Sequence, residues 1–157
     1  FSVNVTGLFH LTQNLLPLLE KNARTESPSK ILNIGSVMGS SPYGDGAYSY
    51  SASKSAVHHL TRILAKELAG KRITVNALAP GPFESKMTTF AMNSDKKRKS
   101  VADSVPLGRV GLYDDIAAAT IYMCGRGGNY ITGAIIPIDG GIHVSTGPEL
   151  FQESRNL

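Results

Sequence analysis

Tyr50 and Lys54 stand four residues apart in the run Tyr50-Ser51-Ala52-Ser53-Lys54. On a helix that spacing brings a phenol and an ammonium to one face. A free tyrosine titrates at about pH 10, and a cation held close by favours its phenolate. Such a tyrosine can give a proton to a carbonyl that is being reduced and take one from an alcohol in the reverse direction. Tyr48 competes for the role, but its spacing to Lys54 turns it away from the lysine's face. A Tyr/Lys pair of this kind is also common on surfaces, so its meaning depends on what surrounds it.

Two other segments supply that setting. Ser36 follows the short β-branched run 30–34 and Gly35, which reads as a buried parallel strand and its exit. Its hydroxyl could hydrogen-bond a substrate carbonyl. Pro80-Gly81 follows a second run, 73–78; a rigid turn without side-chain bulk lets backbone approach a flat ring. Both lie at the carboxyl ends of strands, where open parallel sheets place their ligands. Each taken alone is an ordinary turn.

The remaining elements must hold these sites together. Val3, Val5, Leu8, Phe9, Leu11, Leu15, Leu16, Leu18 and Leu19 recur at helical spacing, with a kink expected at Pro17. From Tyr48 to Ala69 no Pro or Gly intervenes, and Ala56, Val57, Leu60, Ile63, Leu64 and Leu68 form an apolar stripe that Gly70 is placed to stop. After Pro82 comes a long irregular segment with a short helix in it, then a helix from Tyr113 to Cys124 behind two aspartates. A third strand over 134–138 ends at Asp139-Gly140-Gly141, and a frayed tail is expected over 145–157. Strands alternating with helices predict an α/β fold with a parallel sheet and helical crossovers. The chain, 1–157, reads as one partial domain. Three strands would leave the first one's outer edge bare, and the chain opens at Phe1 straight into a helical pattern. The expectation is therefore that more sheet precedes Phe1.

The blocks Asn4-Val5-Thr6-Gly7, Ile34-Gly35-Ser36, Tyr50-x-x-x-Lys54, Val75-Asn76-Ala77-Leu78-Ala79-Pro80-Gly81, Ile131-Thr132-Gly133 and Asp139-Gly140-Gly141 together resemble the short-chain dehydrogenase/reductase family, in its order and approximate spacing. The narrower likeness is to 3-oxoacyl-(acyl carrier protein) reductases, including those of rhamnolipid biosynthesis, through residues 53–62 and 79–87. The resemblance implies the C-terminal part of a Rossmann-type, doubly wound sheet whose N-terminal βαβ units are missing. It implies an oxidoreductase that interconverts a ketone and a secondary alcohol, with NADP(H) favoured over NAD(H) and an acyl thioester as a candidate substrate. Tyr50 would be the acid/base. Lys54 would lower the tyrosine's pKa and hydrogen-bond the nicotinamide ribose, Ser36 would polarise the carbonyl, and Asn4 would bend the first helix and hold a water in a proton relay. Pro80, Gly81, Phe83 and Ser85 would border the nicotinamide; Ser85 stands where the family often has threonine. A homodimer or homotetramer is implied, its subunits joined through the first helix and the Tyr48-to-Ala69 helix. The family's Gly-rich pyrophosphate turn has no counterpart, because Gly125-Arg126-Gly127-Gly128 follows a helix instead of joining a strand to one. A half chain acting only as an oligomerisation module is the competing reading.

Composition narrows the field further. The net charge of +4 is concentrated at Lys96-Lys97-Arg98-Lys99, a local patch without interleaved aromatics, which reads as a solvated face and not a nucleic-acid site. An acidic carrier protein or a CoA phosphate is the more specific partner that such a patch could greet. Cys124 is the single cysteine, so no intrachain disulfide or cysteine metal cage can form, and a reducing, cytoplasmic setting suits it. No run reaches the roughly 18 apolar residues of a membrane span. A serine-hydrolase elbow would need glycines two residues either side of Ser36, where Ile34 and Met38 stand. His58 and His59 are adjacent on a helix and read as surface or interface residues; His10 and His143 read as isolated, and no metal cluster is visible.

Overall fold

The computed structural model describes residues 1–42 and 46–145, so the tail expected to fray lies almost wholly outside the described residues. Three parallel strands, β1 (Ser29–Ile34), β2 (Ile73–Pro80) and β3 (Ile135–Ile138), pair in the order β1-β2-β3. The helices α1 (Leu8–Asn22), α2 (Tyr48–Leu68) and α5 (Tyr113–Cys124) flank them, and two short helices, α3 (Thr89–Met92) and α4 (Asp95–Asp103), occupy the segment expected to be mostly irregular. The fold is α/β with a parallel sheet, as the alternation of strand and helix predicts.

β2 is the central strand, and all but its last residue are buried. Its Ile73 and Val75 pack with Leu64, Ala65 and Leu68 of α2, and Leu16, Leu19, Ile31 and Leu60 close over them. Each fully buried aliphatic side chain of this kind contributes roughly 1.5–3 kcal/mol. Thr74 and Asn76 are the buried polar residues of the strand, and Asn76 is bonded through both ends of its amide. Its Nδ2 donates to the Ile131 carbonyl (2.8 Å) and its Oδ1 accepts from the Ala134 amide (3.0 Å). Val75 N–H also donates to Thr132 Oγ1 (3.1 Å), so the Ile131-Thr132-Gly133 block is pinned beside β2 and delivers the chain to β3.

β1 has only one neighbour among the described strands. Five of its six residues are less than fully buried, and Ile34 is 52% exposed. Among the described residues its outer backbone edge pairs with no strand, the bare edge that the sequence predicts.

α2 ends at Leu68 with Ala69 as its C-cap, so Gly70 stands where a stop is expected, but it does not take the left-handed conformation. The helix tightens into a 3₁₀ turn over Ala69–Lys71, and the left-handed residue is Arg72 at φ 58°. The final turn therefore takes i→i+3 hydrogen bonds, Arg72 N–H to Ala69 O at 2.9 Å among them. At the start of α5, Asp115 accepts from the Leu112 amide (2.7 Å) and receives Arg109 in a two-pronged pair (2.6 and 2.9 Å). The Arg109 hydrogen bond, followed by that from Leu112, holds its carboxyl at about 2, below the usual 3.8. The support it gives the folded state is present above 3.8 and fades as the pH falls toward 2.

His143 is not isolated, contrary to the sequence expectation. Asp139, at the end of β3, accepts from Gly141 N (3.0 Å), His143 N (2.7 Å) and His143 Nδ1 (2.9 Å). Two left-handed glycines, Gly140 at φ 64° and Gly141 at φ 95°, fold the chain back to make that possible.

Candidate active site

The turn leaving β1 and the first half of α2 are built against each other. Lys54 Nζ donates to the Ile34 carbonyl at 2.8 Å, two residues before Ser36. Ser55 Oγ donates to the Gly39 carbonyl at 2.8 Å. A Cβ at Gly39 would come within 2.7 Å of the Lys54 carbonyl carbon, so glycine is what lets the helix backbone approach. Ser36 itself is buried and caps the 3₁₀ turn Val37–Gly39, its Oγ accepting from Met38 N at 3.2 Å. Accepting that bond leaves the serine O–H proton to donate.

Tyr50 and Lys54 share one face, as their spacing predicts, with Lys54 Nζ 5.7 Å from the centre of the Tyr50 ring. Both side chains are half-buried. Burial pushes the Lys54 pKa below that of an ordinary lysine. Tyr48 is 84% exposed and takes no part.

Asn4 lies in a π-helical stretch, Ser2–Gly7, that leads into α1. Wide turns of this kind recur at functional sites. Its Nδ2 donates to Ser53 Oγ (3.0 Å), and Ser53 Oγ donates in turn to the Tyr50 carbonyl (2.7 Å). The first helical segment is thereby tied to the turn of α2 that carries the tyrosine.

Pro80 and Gly81 leave β2 at the same end of the sheet, Gly81 N–H reaching the Ile138 carbonyl at 3.0 Å. A Cβ on Gly81 would stand 2.8 Å from Asp139 Cα, so the absent side chain makes room for the end of β3. Any contact of Gly81 with a flat ring is left to its backbone. The Phe83 ring is turned onto Gly111, where a Cβ would lie 2.4 Å from a ring carbon, and its carbonyl accepts from Thr88 Oγ1 (2.7 Å). Ser85 is exposed and bonds with Thr88 through both N and Oγ, at 2.9 and 3.1 Å. Phe83 and Ser85 therefore form a small network around Thr88 on the approach to α3.

Residues 1–143 match the model of the family described as enoyl-(acyl carrier protein) reductase. The rhamnolipids biosynthesis 3-oxoacyl-(acyl carrier protein) reductase of Pseudomonas aeruginosa is 47% identical over 142 residues, which cover 90% of this chain and 56% of that protein. The chain belongs to the short-chain dehydrogenase/reductase family. The 3-oxoacyl-(acyl carrier protein) reductase FabG of Thermotoga maritima is 38% identical, with 90% of this chain and 54% of the relative covered. Among solved structures, the P. aeruginosa RhlG/NADP active-site complex superposes with a TM-score of 0.85 at 48% identity, over 89% of this chain and 56% of that one. The 3-ketoacyl-(acyl carrier protein) reductase of Brucella melitensis, complexed with NADH, gives 0.80 at 35%, over 90% and 55%. The chain thus spans a little over half the length of these relatives.

The family's nicotinamide cofactor can be tested against the residues present. A half-buried amine beside a tyrosine, at the carboxyl end of β1 and next to the exit of β2, suits the ribose and ring end of such a molecule. No described residues form a Gly-rich turn between a strand and a helix for its pyrophosphate. Gly125 closes α5, and Arg126–Gly128 is a 3₁₀ turn after it.

Two contributors escaped the sequence reading. Ser53 is fully buried and links Asn4 to Tyr50; its position three residues after the tyrosine, on the same side of the helix, was the available signal. The sequence reads His58 as a surface or interface residue. It is 3% exposed, and its ring stands against Gly35 and Gly39. Those two glycines flanking Ser36 could have announced a bulky neighbour. His59 is exposed, as expected.

Among the described residues no helix is long and apolar enough to cross a membrane, and no group of His, Cys, Asp and Glu is placed to hold a metal. The basic patch on α4 is largely engaged locally. Arg98 pairs with Glu84 (2.7 Å), Lys99 pairs with Asp103 (2.7 Å), and Lys97 donates to the Phe90 carbonyl (3.1 Å).

Proposed function

We propose that this chain carries the catalytic half of an NADP(H)-dependent oxidoreductase that interconverts a ketone and a secondary alcohol, with 3-oxoacyl thioesters as the substrate class. The observation that carries the reading is the placement of Lys54 beside the Tyr50 ring, with its amine fixed on the Ile34 carbonyl two residues before Ser36. The substrate class follows the 3-oxoacyl reductases at 47% and 38% identity. The cofactor preference follows the NADP complex at 48% identity, against an NADH complex at 35%.

The bound nicotinamide would supply the hydride. In reduction, Tyr50 gives its phenolic proton to the carbonyl oxygen, and in oxidation it takes the proton from the alcohol. Ser36 donates its O–H to the same oxygen and fixes the substrate's orientation. Lys54 keeps two N–H groups beyond the one given to Ile34, and one of them would hold the nicotinamide ribose while the cation faces the tyrosine ring. Asn4 would hold a water on the way to Lys54. Its Nδ2 is committed to Ser53, which leaves its oxygens to accept from that water. Pro80, Gly81, Phe83 and Ser85 would border the ring through backbone and the Thr88 network.

The competing reading, an assembly module without turnover, draws on Val3, Leu11 and Leu18, which stand 60% or more exposed along the first helical segments. In the enzyme reading the same face joins subunits of a homodimer or homotetramer. Docking of an acidic carrier on residues 96–99 is weakened by the local pairing of that patch.

The direct test is an assay of NADPH consumption with a 3-oxoacyl thioester, on the chain together with any upstream segment encoded with it. Turnover with NADPH faster than with NADH is expected, and no turnover with either would overturn the reading. The 157 residues alone should bind dinucleotide weakly, because the pyrophosphate cradle is not among them. Titration of nucleotide fluorescence checks this, and micromolar affinity would contradict it.

A further inference from the structure

His58 is a buried, polar side chain that the chemistry above does not use. Its two ring nitrogens both meet the turn that carries Ser36: Nε2 lies 3.4 Å from Ser36 N, and Nδ1 lies 3.2 Å from Ser40 Oγ. A backbone N–H can only donate, so Nε2 must hold its lone pair there. In the neutral ring the proton then sits on Nδ1 and is given to Ser40 Oγ. The turn is shaped around the ring. A Cβ at Gly35 would fall 2.3 Å from Nε2, and one at Gly39 would fall 2.7 Å from Cε1, so neither glycine can be replaced without moving the imidazole. An apolar side chain could fill this space, but it could not bond to both ends of the Ser36–Ser40 turn.

We propose that His58 is the positioning residue for Ser36: its neutral imidazole, seated between Gly35 and Gly39, locks the Ser36–Ser40 turn in the form that presents the serine hydroxyl. The role in turnover rests on the oxidoreductase reading; the lock itself does not. Protonation would set a ring N–H against the Ser36 N–H and release the turn. Burial first, then the Arg62 and Lys54 cations, keep the ring's pKa below that of a free imidazole. Both cations stand on its own helix. The described part of the turn offers no titratable group, and β2, which packs on α2, contains none. The lock is therefore closed at neutral pH and opens only on acidification, below the usual imidazole value of 6.5.

Two measurements test this. Nitrogen-15 NMR of the ring should find the proton on Nδ1 and not on Nε2 at neutral pH, and the Ser36 amide signal should shift with the same midpoint as the ring. A proton on Nε2, or an indifferent Ser36 amide, would overturn the lock whatever the protein catalyses. In turnover, on the chain with any upstream segment, His58→Leu should lower kcat about tenfold by loss of a positioning hydrogen bond, with the dinucleotide KM unchanged. His58→Gln offers an acceptor to Ser36 N without a titrating ring, so it should restore most of kcat and abolish its fall at acidic pH. Equal loss in both variants, or an acidic fall that persists in His58→Gln, would overturn the role. Should His58→Leu fail to fold, the glutamine variant's pH profile decides. An inactive parent with the expected NMR result would overturn the oxidoreductase reading and leave the lock standing.

Discussion

Tyr50→Phe is expected to cut turnover by about 10²–10⁴-fold, the usual worth of a positioned proton donor, while leaving the KM for dinucleotide nearly unchanged. The substitution removes one oxygen and keeps the ring, so the cation at 5.7 Å retains its aromatic neighbour and the packing of α2 is not disturbed. Ser53 bonds the Tyr50 backbone carbonyl and not its hydroxyl, so the tie to Asn4 survives as well. Loss should therefore appear in kcat with no matching drop in melting temperature. The measurement is steady-state kinetics in both directions beside calorimetry. Near-normal turnover in the phenylalanine variant would remove the tyrosine from the chemistry and with it the proposed mechanism.

Lys54→Met should separate function from stability in the opposite way. Burial lowers the lysine's pKa in the folded chain, so its charge opposes folding at every pH below that folded value. The penalty shrinks as pH rises from there toward 10.5 and is gone above it. Methionine keeps the length of the stem and removes the charge. The carbonyl it would abandon belongs to Ile34, which is exposed enough for water to replace the amine. The variant is expected to melt no lower than the parent, and higher near neutral pH, yet to lose turnover at least about a hundredfold. It should also raise the KM for dinucleotide, because the ribose loses a donor; this distinguishes it from Tyr50→Phe. A lower melting temperature would show that the lysine holds the β1 exit together more than it strains it.

The elements that build the candidate site were legible for physical reasons that differ from residue to residue. The i, i+4 relation of Tyr50 and Lys54 survives in any helix, and α2 has no breaker to disturb it. β2 could be read because a central parallel strand is apolar on both faces, and its exit was marked by Pro80-Gly81. The end of α2 was legible from Gly70, but the 3₁₀ turn carries the left-handed position on to Arg72, which composition does not reveal. His58 was misjudged because helical periodicity describes directions around one helix and not what the neighbouring turn leaves empty. The space is made by two glycines some twenty residues earlier in sequence. The Asp139–His143 pair depends on the reversal at Gly140 and Gly141, a local conformation that residue spacing does not reveal. The α3–α4 region was read as irregular because it buries little; Ser94 caps α4 through the Lys97 amide at 3.4 Å, a cue present in the sequence but masked by the charge run.

An amine that gives up its proton early is also a better nucleophile. Lys30 and Lys54 have their pKa lowered, chiefly by burial in both cases. In mildly alkaline buffer these two should be the first to acquire an acyl tag, ahead of the solvated lysines of α4, and peptide mass spectrometry would rank them. Saturating dinucleotide should shield Lys54 alone, since Lys30 is held by Asn129 near the far end of β1. On the proposed function, acylation of Lys54 would then report cofactor occupancy.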